Sequence, residues 1–278
     1  MAHGLPAATI CARCPLEPNM LAIKRHGAVL HLTLDRPERH NAFNEHLIAA
    51  LTQALEQASQ DPGLRALVLA GNGRSFSAGA DLDWMARLAR ASEADNLGDA
   101  QALATLMRTL DSLPLPTIAA VQGAAYGGGV GLAACCDIVI ASDDARFALS
   151  EVRLGLLPAV ISPYVIAAIG PRQARRWFAT GQAFDAQRAL AIGLVHEVVP
   201  ADGLAAAVDA QLQLLLQAAP QACSAAKQLV AAVINETDPA RLDAHNAALI
   251  ARLRAGAEGR EGLAAFLDKR PANWVQPA

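Results

Sequence analysis

Two glycine-rich turns hold the residues best suited to chemistry. The first reads Gly71-Asn72-Gly73-Arg74-Ser75-Phe76-Ser77-Ala78-Gly79-Ala80-Asp81-Leu82, after a short apolar run at 66–70 and before a helix expected to begin near Asp81. The second reads Val121-Gln122-Gly123-Ala124-Ala125-Tyr126-Gly127-Gly128-Gly129-Val130-Gly131, again between an apolar run and a helical pattern. Glycine allows backbone conformations and ligand approaches that a Cβ would block. A helix start leaves N–H groups unpaired at the positive end of the helix dipole. Two such turns on adjacent strands would aim two N–H donors at one oxygen, the arrangement that stabilises an enolate or a tetrahedral oxyanion. Tight turns or close packing would equally account for either turn taken alone. Neither turn has the G-x-G-x-x-G order directly after a first strand with an acid about 20 residues on, and the Gly-Lys-Ser/Thr of a phosphate loop is missing.

The elements that must position these turns are legible from periodicity. Residues 21–23 and 29–34 alternate as two strands around a His26-Gly27 turn, and Asp35-Arg36-Pro37 stops the second. Leu47, Ile48, Leu51, Ala54, Leu55 and Ala58 recur with helical period between Asn44 and Gln60. Asp61-Pro62-Gly63 ends that helix, and 66–70 is a short buried strand. Residues 117–121, 138–141 and 146–148 read as further strands, with a helix running from the second glycine-rich turn through Cys136. Beyond about Val160 the pattern is helical apart from a strand at 195–199. Strands separated by helices, then a helical tail, imply an α/β core with a C-terminal helical region. The expected division is 20–200 for the core and 201–278 for the helices.

Composition narrows the function classes. A net charge of −3 over 278 residues argues against a general nucleic-acid binder. Hydrophobic residues make up 53%, yet Gly, Asp or Arg interrupt every long apolar stretch before the roughly 18 residues that span a bilayer. No membrane role is therefore expected. Of five cysteines only Cys11 and Cys14 have a C-x-x-C spacing, without a second ligand pair or a βαβ context, so no metal site is predicted. This cysteine usage fits a reducing cytoplasm. Residues 1–19 show no helical or strand period and no apolar signal segment, and read as a disordered leader ahead of Met20.

Four stretches, LDRPERHNAFN, GNGRSFSAGADLDWM, LPLPTIAAVQGAAYGGGVGLAACCDIVIAS and FALSEVRLGLLPAVISPYV, occur in the order and spacing of the crotonase (enoyl-CoA hydratase/isomerase) superfamily. The terminal EGLAAFLDKRPANW resembles that family's closing helix. The resemblance implies a ββα spiral core with a C-terminal helical trimerisation region, in a homotrimer or homohexamer. It implies an acyl-CoA thioester as substrate and no separate cofactor, coenzyme A being part of the substrate. Carried over by position, Ala80 and Gly128 would supply the two oxyanion-hole N–H groups, and Glu151 would move the proton. Residues Ala80, Asp81, Leu82 and Asp83 would lie along the coenzyme A, with Arg39 and His40 in the CoA-contacting loop; a solvated loop explains Arg39 and His40 equally well.

Two departures bear on the reaction. Hydratases resembling this chain commonly carry a second glutamate two residues after the GGG, where Gly131 stands here. The expectation drawn from Gly131 is open space for a bulky C3 substituent. Pro158-Ala159-Val160-Ile161-Ser162-Pro163-Tyr164 replaces a glycine-rich segment common in hydratases. Together these look most like bacterial hydratases of branched or carboxylated enoyl-CoAs, such as methylglutaconyl-CoA or carboxygeranoyl-CoA, compounds of leucine and acyclic-terpene breakdown. Arg153 and Arg87 are the candidates to meet a substrate carboxylate. Asp83, Glu93, Ser162, Tyr126 or the substrate's own carboxylate would orient water. The rival readings are an enoyl-CoA isomerase using Glu151 alone, and a non-catalytic acyl-CoA or RNA-binding relative.

Overall fold

The structure, a computed structural model, describes residues 20–275. The expected leader, with Cys11 and Cys14, lies outside the described residues. Leu21–His26 (β1) and Val29–Leu34 (β2) form an antiparallel hairpin closed at Gly27, whose φ of +58° favours glycine. Asn44 caps Glu45–Gln60 (α1) by accepting from the Leu47 N–H at 2.9 Å, and all six apolar positions of the helical pattern are buried.

Ala66–Gly71 (β3) then pairs parallel to β2. Leu82–Leu88 (α2) and Glu93–Asp111 (α3) return the chain to Thr117–Val121 (β4), parallel to β3. Every residue of β4 is buried, as expected of a parallel strand covered on both faces. Ala124–Tyr126 (β5) leads directly into Gly128–Cys135 (α4), and Ile138–Ser142 (β6) joins the main sheet beside β4. Arg146–Ala148 (β7) pairs with β5, which the sequence pattern hid inside the second glycine-rich turn. The chain continues through Ser162–Thr180 (α5), Phe184–Asp185 (β8), Ala186–Ala191 (α6) and Glu197–Val199 (β9). The main sheet has the order β1-β2-β3-β4-β6-β9, and a small sheet has the order β5-β7-β8.

Leu204–Gln217 (α7) covers one face of the main sheet, its Val208 and Leu212 packing with Val68, Ile118 and Ile140. The sheet's cover thus extends past residue 200, because β-branched residues on that face need an apolar helix against them. Pro220–Asn235 (α8) and Pro239–Ala255 (α9) bury no residue, and Ala257–Leu267 (α10) buries only Ala265. Ile234 and Phe266 are 74% and 80% exposed. Arg65 anchors this region by donating to the Leu216, Ala218 and Trp274 carbonyls at 2.6–2.7 Å. Lys227 pairs with Asp137 at 2.9 Å. No helix among the described residues is long and apolar enough to cross a membrane.

Candidate active site

β3 and β4 are parallel neighbours, so the two glycine-rich turns leave the same end of the sheet. The turns are also joined to each other. The Phe76 N–H donates to the Gln122 carbonyl at 2.8 Å, Ser77 N–H to Ala124 at 3.0 Å, and Tyr126 N–H to Ser77 at 2.9 Å. A third segment crosses the first turn: Phe43 N–H donates to Gly79 at 2.7 Å, and Asp81 N–H donates back to Phe43 at 2.8 Å. These bonds use the Gly79 carbonyl and the Asp81 N–H on either side of Ala80. The Ala80 N–H itself has no hydrogen-bond acceptor among the described residues.

Gly128 opens α4, so its N–H has no partner within the helix. Gly127, at φ +50°, turns the chain into that helix, a backbone conformation that a side chain would strain. The turns approach closely: a Cβ on Gly127 would lie 4.0 Å from the Gly79 Cα, and one on Gly79 would lie 3.0 Å from the Tyr126 carbonyl oxygen. A Cβ on Gly128 would lie 2.8 Å from the Phe43 ring. Glycine is required here for approach, and the product is two unpaired N–H groups on adjoining turns.

Glu151 comes to the same place by a different route. Gly127 N–H donates to Ala148 at 2.8 Å at the end of β7, and the chain then turns through Leu149 and Ser150 into a 3-10 turn over Glu151–Leu154. Glu151 Oε1 lies 3.1 Å from where a Gly127 Cβ would stand, while Oε2 is buried without a hydrogen-bond partner. Burial raises the carboxyl's pKa above the ordinary glutamate value, opposed only by a hydrogen bond from its own backbone N–H. A desolvated carboxyl beside two aimed N–H donors can exchange a proton with the carbon next to a carbonyl whose oxygen the donors hold.

With this geometry in hand, likeness to known proteins decides the family. Residues 24–277 match the enoyl-CoA hydratase/isomerase family model. A putative enoyl-CoA hydratase of Thermus thermophilus is 35% identical, covering 90% of this chain and 98% of the relative. The 2,3-dehydroadipyl-CoA hydratase of Escherichia coli is 37% identical, over 91% and 98%. The crystal structure of an enoyl-CoA hydratase from Shewanella pealeana superposes with a TM-score of 0.89 at 44% identity, covering 93% and 97%. The chain belongs to the enoyl-CoA hydratase/isomerase family. It is therefore an enzyme of the crotonase fold that acts on acyl-CoA thioesters.

Within that family frame, the residues singled out by sequence part company. Ala80, Gly128 and Glu151 converge. Asp81 turns inward: its side chain caps α2 through the Asp83 and Trp84 N–H groups and pairs with buried Arg36 at 3.1 Å. Burial is the largest single effect and raises its pKa, but the two N–H groups and Arg36 together outweigh it and hold the carboxylate below the ordinary range. Asp81 therefore positions the Ala80 turn, with neither its carboxylate nor its N–H left for coenzyme A. Leu82 is 78% exposed, and Arg39 pairs with Asp83 at 3.3 Å on the surface beside it. The His40 ring has its Nδ1 3.1 Å from Ser75 Oγ, and His40 lines a cavity of about 360 Å³ with Arg74, Tyr126 and Arg146.

The two candidate cations lie in different surroundings. Arg87 is held by Glu45 at 2.6 Å, and the Arg153 side chain lies against Gly181 at the end of α5. An apolar cavity of about 510 Å³ adjoins the Glu151 turn through Val152, walled by Leu157, Pro158, Ile166 and Phe178, and Arg175 is the cation on its lining. Ser162 also lines it, its hydroxyl donating to the Ala159 carbonyl at 2.7 Å.

The expectation of open space at Gly131 is overturned. A Cβ there would lie 2.3 Å from Ile161 Cγ2 and 3.2 Å from Met107 Cε. Ile161 has moved into the volume that the glycine vacates. Phe43, Asn41 and Ile161 are the site-building residues that sequence reasoning missed. Asn41, fully buried, accepts from Arg36 N–H and donates to the Asn72 and Ser75 carbonyls, which fixes the first turn. Its signal was an asparagine in an otherwise apolar NAF, two residues beyond a charged loop. Cys135 and Cys136 are buried thiols with pKa raised by burial, Cys136 to about 12, and serve the core.

Proposed function

We propose that the enzyme adds water reversibly to a 2-enoyl-CoA that is branched or carboxylated, of the methylglutaconyl-CoA kind. The observation that carries this is the meeting of two unpaired N–H groups, Ala80 and Gly128, with the desolvated carboxyl of Glu151. The thioester oxygen accepts from both N–H groups, which draws electrons from the double bond and makes C3 electrophilic. Water adds at C3 and gives up one proton to the Glu151 carboxylate, which delivers it to C2 as the enolate collapses. In reverse Glu151 removes that proton. The surface pair Arg39 and Asp83, with Leu82, flanks the way in for coenzyme A.

A carboxylated chain finds a matching environment in the cavity beside Val152, where hydrocarbon walls and Arg175 would take a methyl branch and a carboxylate. The relative named for 2,3-dehydroadipyl-CoA is a precedent for such a chain within the family. The exposed apolar side chains of α8–α10, Ile234 and Phe266 among them, suit burial between copies of the chain in a trimer or a pair of trimers, and the cysteine usage supports a reducing cytoplasm as the working compartment.

Isomerisation is the second reading, because one glutamate suffices to carry a proton between C4 and C2, and Ile161 stands where a second would reach. One enzyme preparation tests both. Hydration removes the absorbance of the conjugated thioester, and 3-to-2 isomerisation creates it. Faster hydration of a branched or carboxylated 2-enoyl-CoA is expected, with Arg175→Met costing the carboxylated ester more than its uncharged counterpart. Rapid isomerisation with no water addition to any branched ester would replace the hydratase by the isomerase.

A further inference from the structure

The segment from Glu151 to Ile161 stands on the start of α4 at two points. At one, Glu151 Oε1 lies 3.1 Å from the place of a Gly127 Cβ; at the other, Ile161 Cγ2 lies 2.3 Å from the place of a Gly131 Cβ. Gly127, the N-cap of α4, and Gly131 are four residues apart and joined by the Gly131 N–H to Gly127 carbonyl bond of 3.2 Å. Ile161 is 3% exposed, caps the start of α5, and presses beside Met107, which is itself fully buried. The arch between the two contacts is short and internally tied: Leu156 N–H returns to the Glu151 carbonyl at 3.0 Å, and Ser162 N–H to the Ala159 carbonyl at 3.2 Å.

We propose that Ile161 is a positioning residue for Glu151: its side chain, occupying the volume of a residue-131 side chain, fixes the arch that holds the carboxyl over Gly127 and bars a second carboxylate from α4. The inference rests on the functional reading of Ala80, Gly128 and Glu151, and adds a coupling between two positions that touch neither the thioester oxygen nor the transferred proton. A methyl group at 131 cannot coexist with Ile161. Carbon atoms rest about 3.5–4.0 Å apart, so Ile161 must retreat by more than about 1 Å, and a misplacement of that size can cost about 100-fold in rate.

The test is a cycle of Gly131→Ala, Ile161→Gly and the double variant, each checked for fold by circular dichroism. Turnover of the best enoyl-CoA ester is followed against pH. Gly131→Ala should lower kcat about 10- to 100-fold with little change in KM, and move the limb of the pH profile that reports Glu151. The double variant should recover both, since the methyl then occupies the space Ile161 leaves and only the flexible end of Met107 has to shift. A purely structural role would restore folding without restoring the pH limb. Gly131→Glu combined with Ile161→Gly supplies a second arm: it should add a second titrating limb to the profile, which Gly131→Glu alone should not. Equal kcat in Gly131→Ala and wild type, or a double variant no better than Gly131→Ala, would overturn the inference. Wild-type exchange of the C2 proton of a saturated acyl-CoA in heavy water separates the levels. Exchange with no coupling in the cycle sinks this inference alone, whereas absence of exchange and turnover sinks the functional reading beneath it.

Discussion

Replacing Glu151 by Gln keeps the side chain's shape while removing its proton and its charge, and the structure assigns the two losses opposite signs. Positioned acid–base groups contribute about 100- to 10,000-fold in rate. Turnover should fall by about that factor, with KM little altered because the Ala80 and Gly128 donors are untouched. Stability should move the other way. Glu151 Oε2 is buried without a partner, and burial raises the carboxyl's pKa above its unfolded value. A folded pKa that is raised means that the native state binds more protons than the unfolded one. Wild-type stability is then fullest below the unfolded glutamate value of about 4.3, and declines as pH rises through the folded pKa. The amide carries no such pH-linked loss. A buried unsatisfied polar group costs about 1–3 kcal/mol, and partial burial with an unmet amide in exchange points to the low end, about 1 kcal/mol above neutrality. Urea unfolding of both proteins between pH 4 and 8 measures this. The difference should open in favour of the Gln variant as pH rises. Parallel stability curves across that range would refute the desolvation argument, and undiminished turnover would remove Glu151 from the chemistry.

Three further outcomes follow from the geometry. Gly128→Pro and Gly128→Ala meet the Phe43 ring alike, a Cβ there lying 2.8 Å from it, but only proline lacks the N–H and it is tolerated at a helix's first position; kcat for the proline variant should be about 100- to 1,000-fold below that of the alanine variant, and equal rates would show that this N–H holds no oxyanion. Arg39→Ala should raise KM about tenfold at constant kcat if Arg39 meets a coenzyme A phosphate, while its exposed pair with Asp83 at 3.3 Å predicts little change in unfolding; a fall in kcat at unchanged KM would contradict that placement. Arg65→Met removes three carbonyl contacts at 2.6–2.7 Å and should lower unfolding stability by about 2–3 kcal/mol, checked by urea titration; an unchanged midpoint would mean that other contacts anchor the C-terminal helices.

Much of this was legible in the chain because local rules and tertiary packing agree over most of the core. The α1 pattern named six buried positions, and all six are buried. The β2 and β4 runs became neighbours of β3 in a parallel sheet, which puts both glycine-rich turns at one end. The inward turn of Asp81 was not legible, since an aspartate after SAGA reads the same whether it faces solvent or Arg36; only the fold brings residues 36 and 81 together. β5 was hidden because three residues inside a glycine-rich turn carry no period, and their partner lies in β7.

Gly131 shows most clearly how a local reading fails. A glycine in place of a carboxylate reads as lost volume, and lost volume reads as room for substrate. Protein interiors are close-packed, however, and a vacated volume is filled by whichever neighbour reaches it. The neighbour here is Ile161, thirty positions on, in the same 158–164 segment that stands where the family's glycine-rich stretch would be. The two departures from the family pattern are thus one compensated change: glycine on α4 and a branched side chain on the facing arch exchange volume across the contact. On the proposed reading, room for a branched acyl chain must then come from elsewhere, and the cavity lined by Val152, Ile166 and Phe178 is the candidate to test.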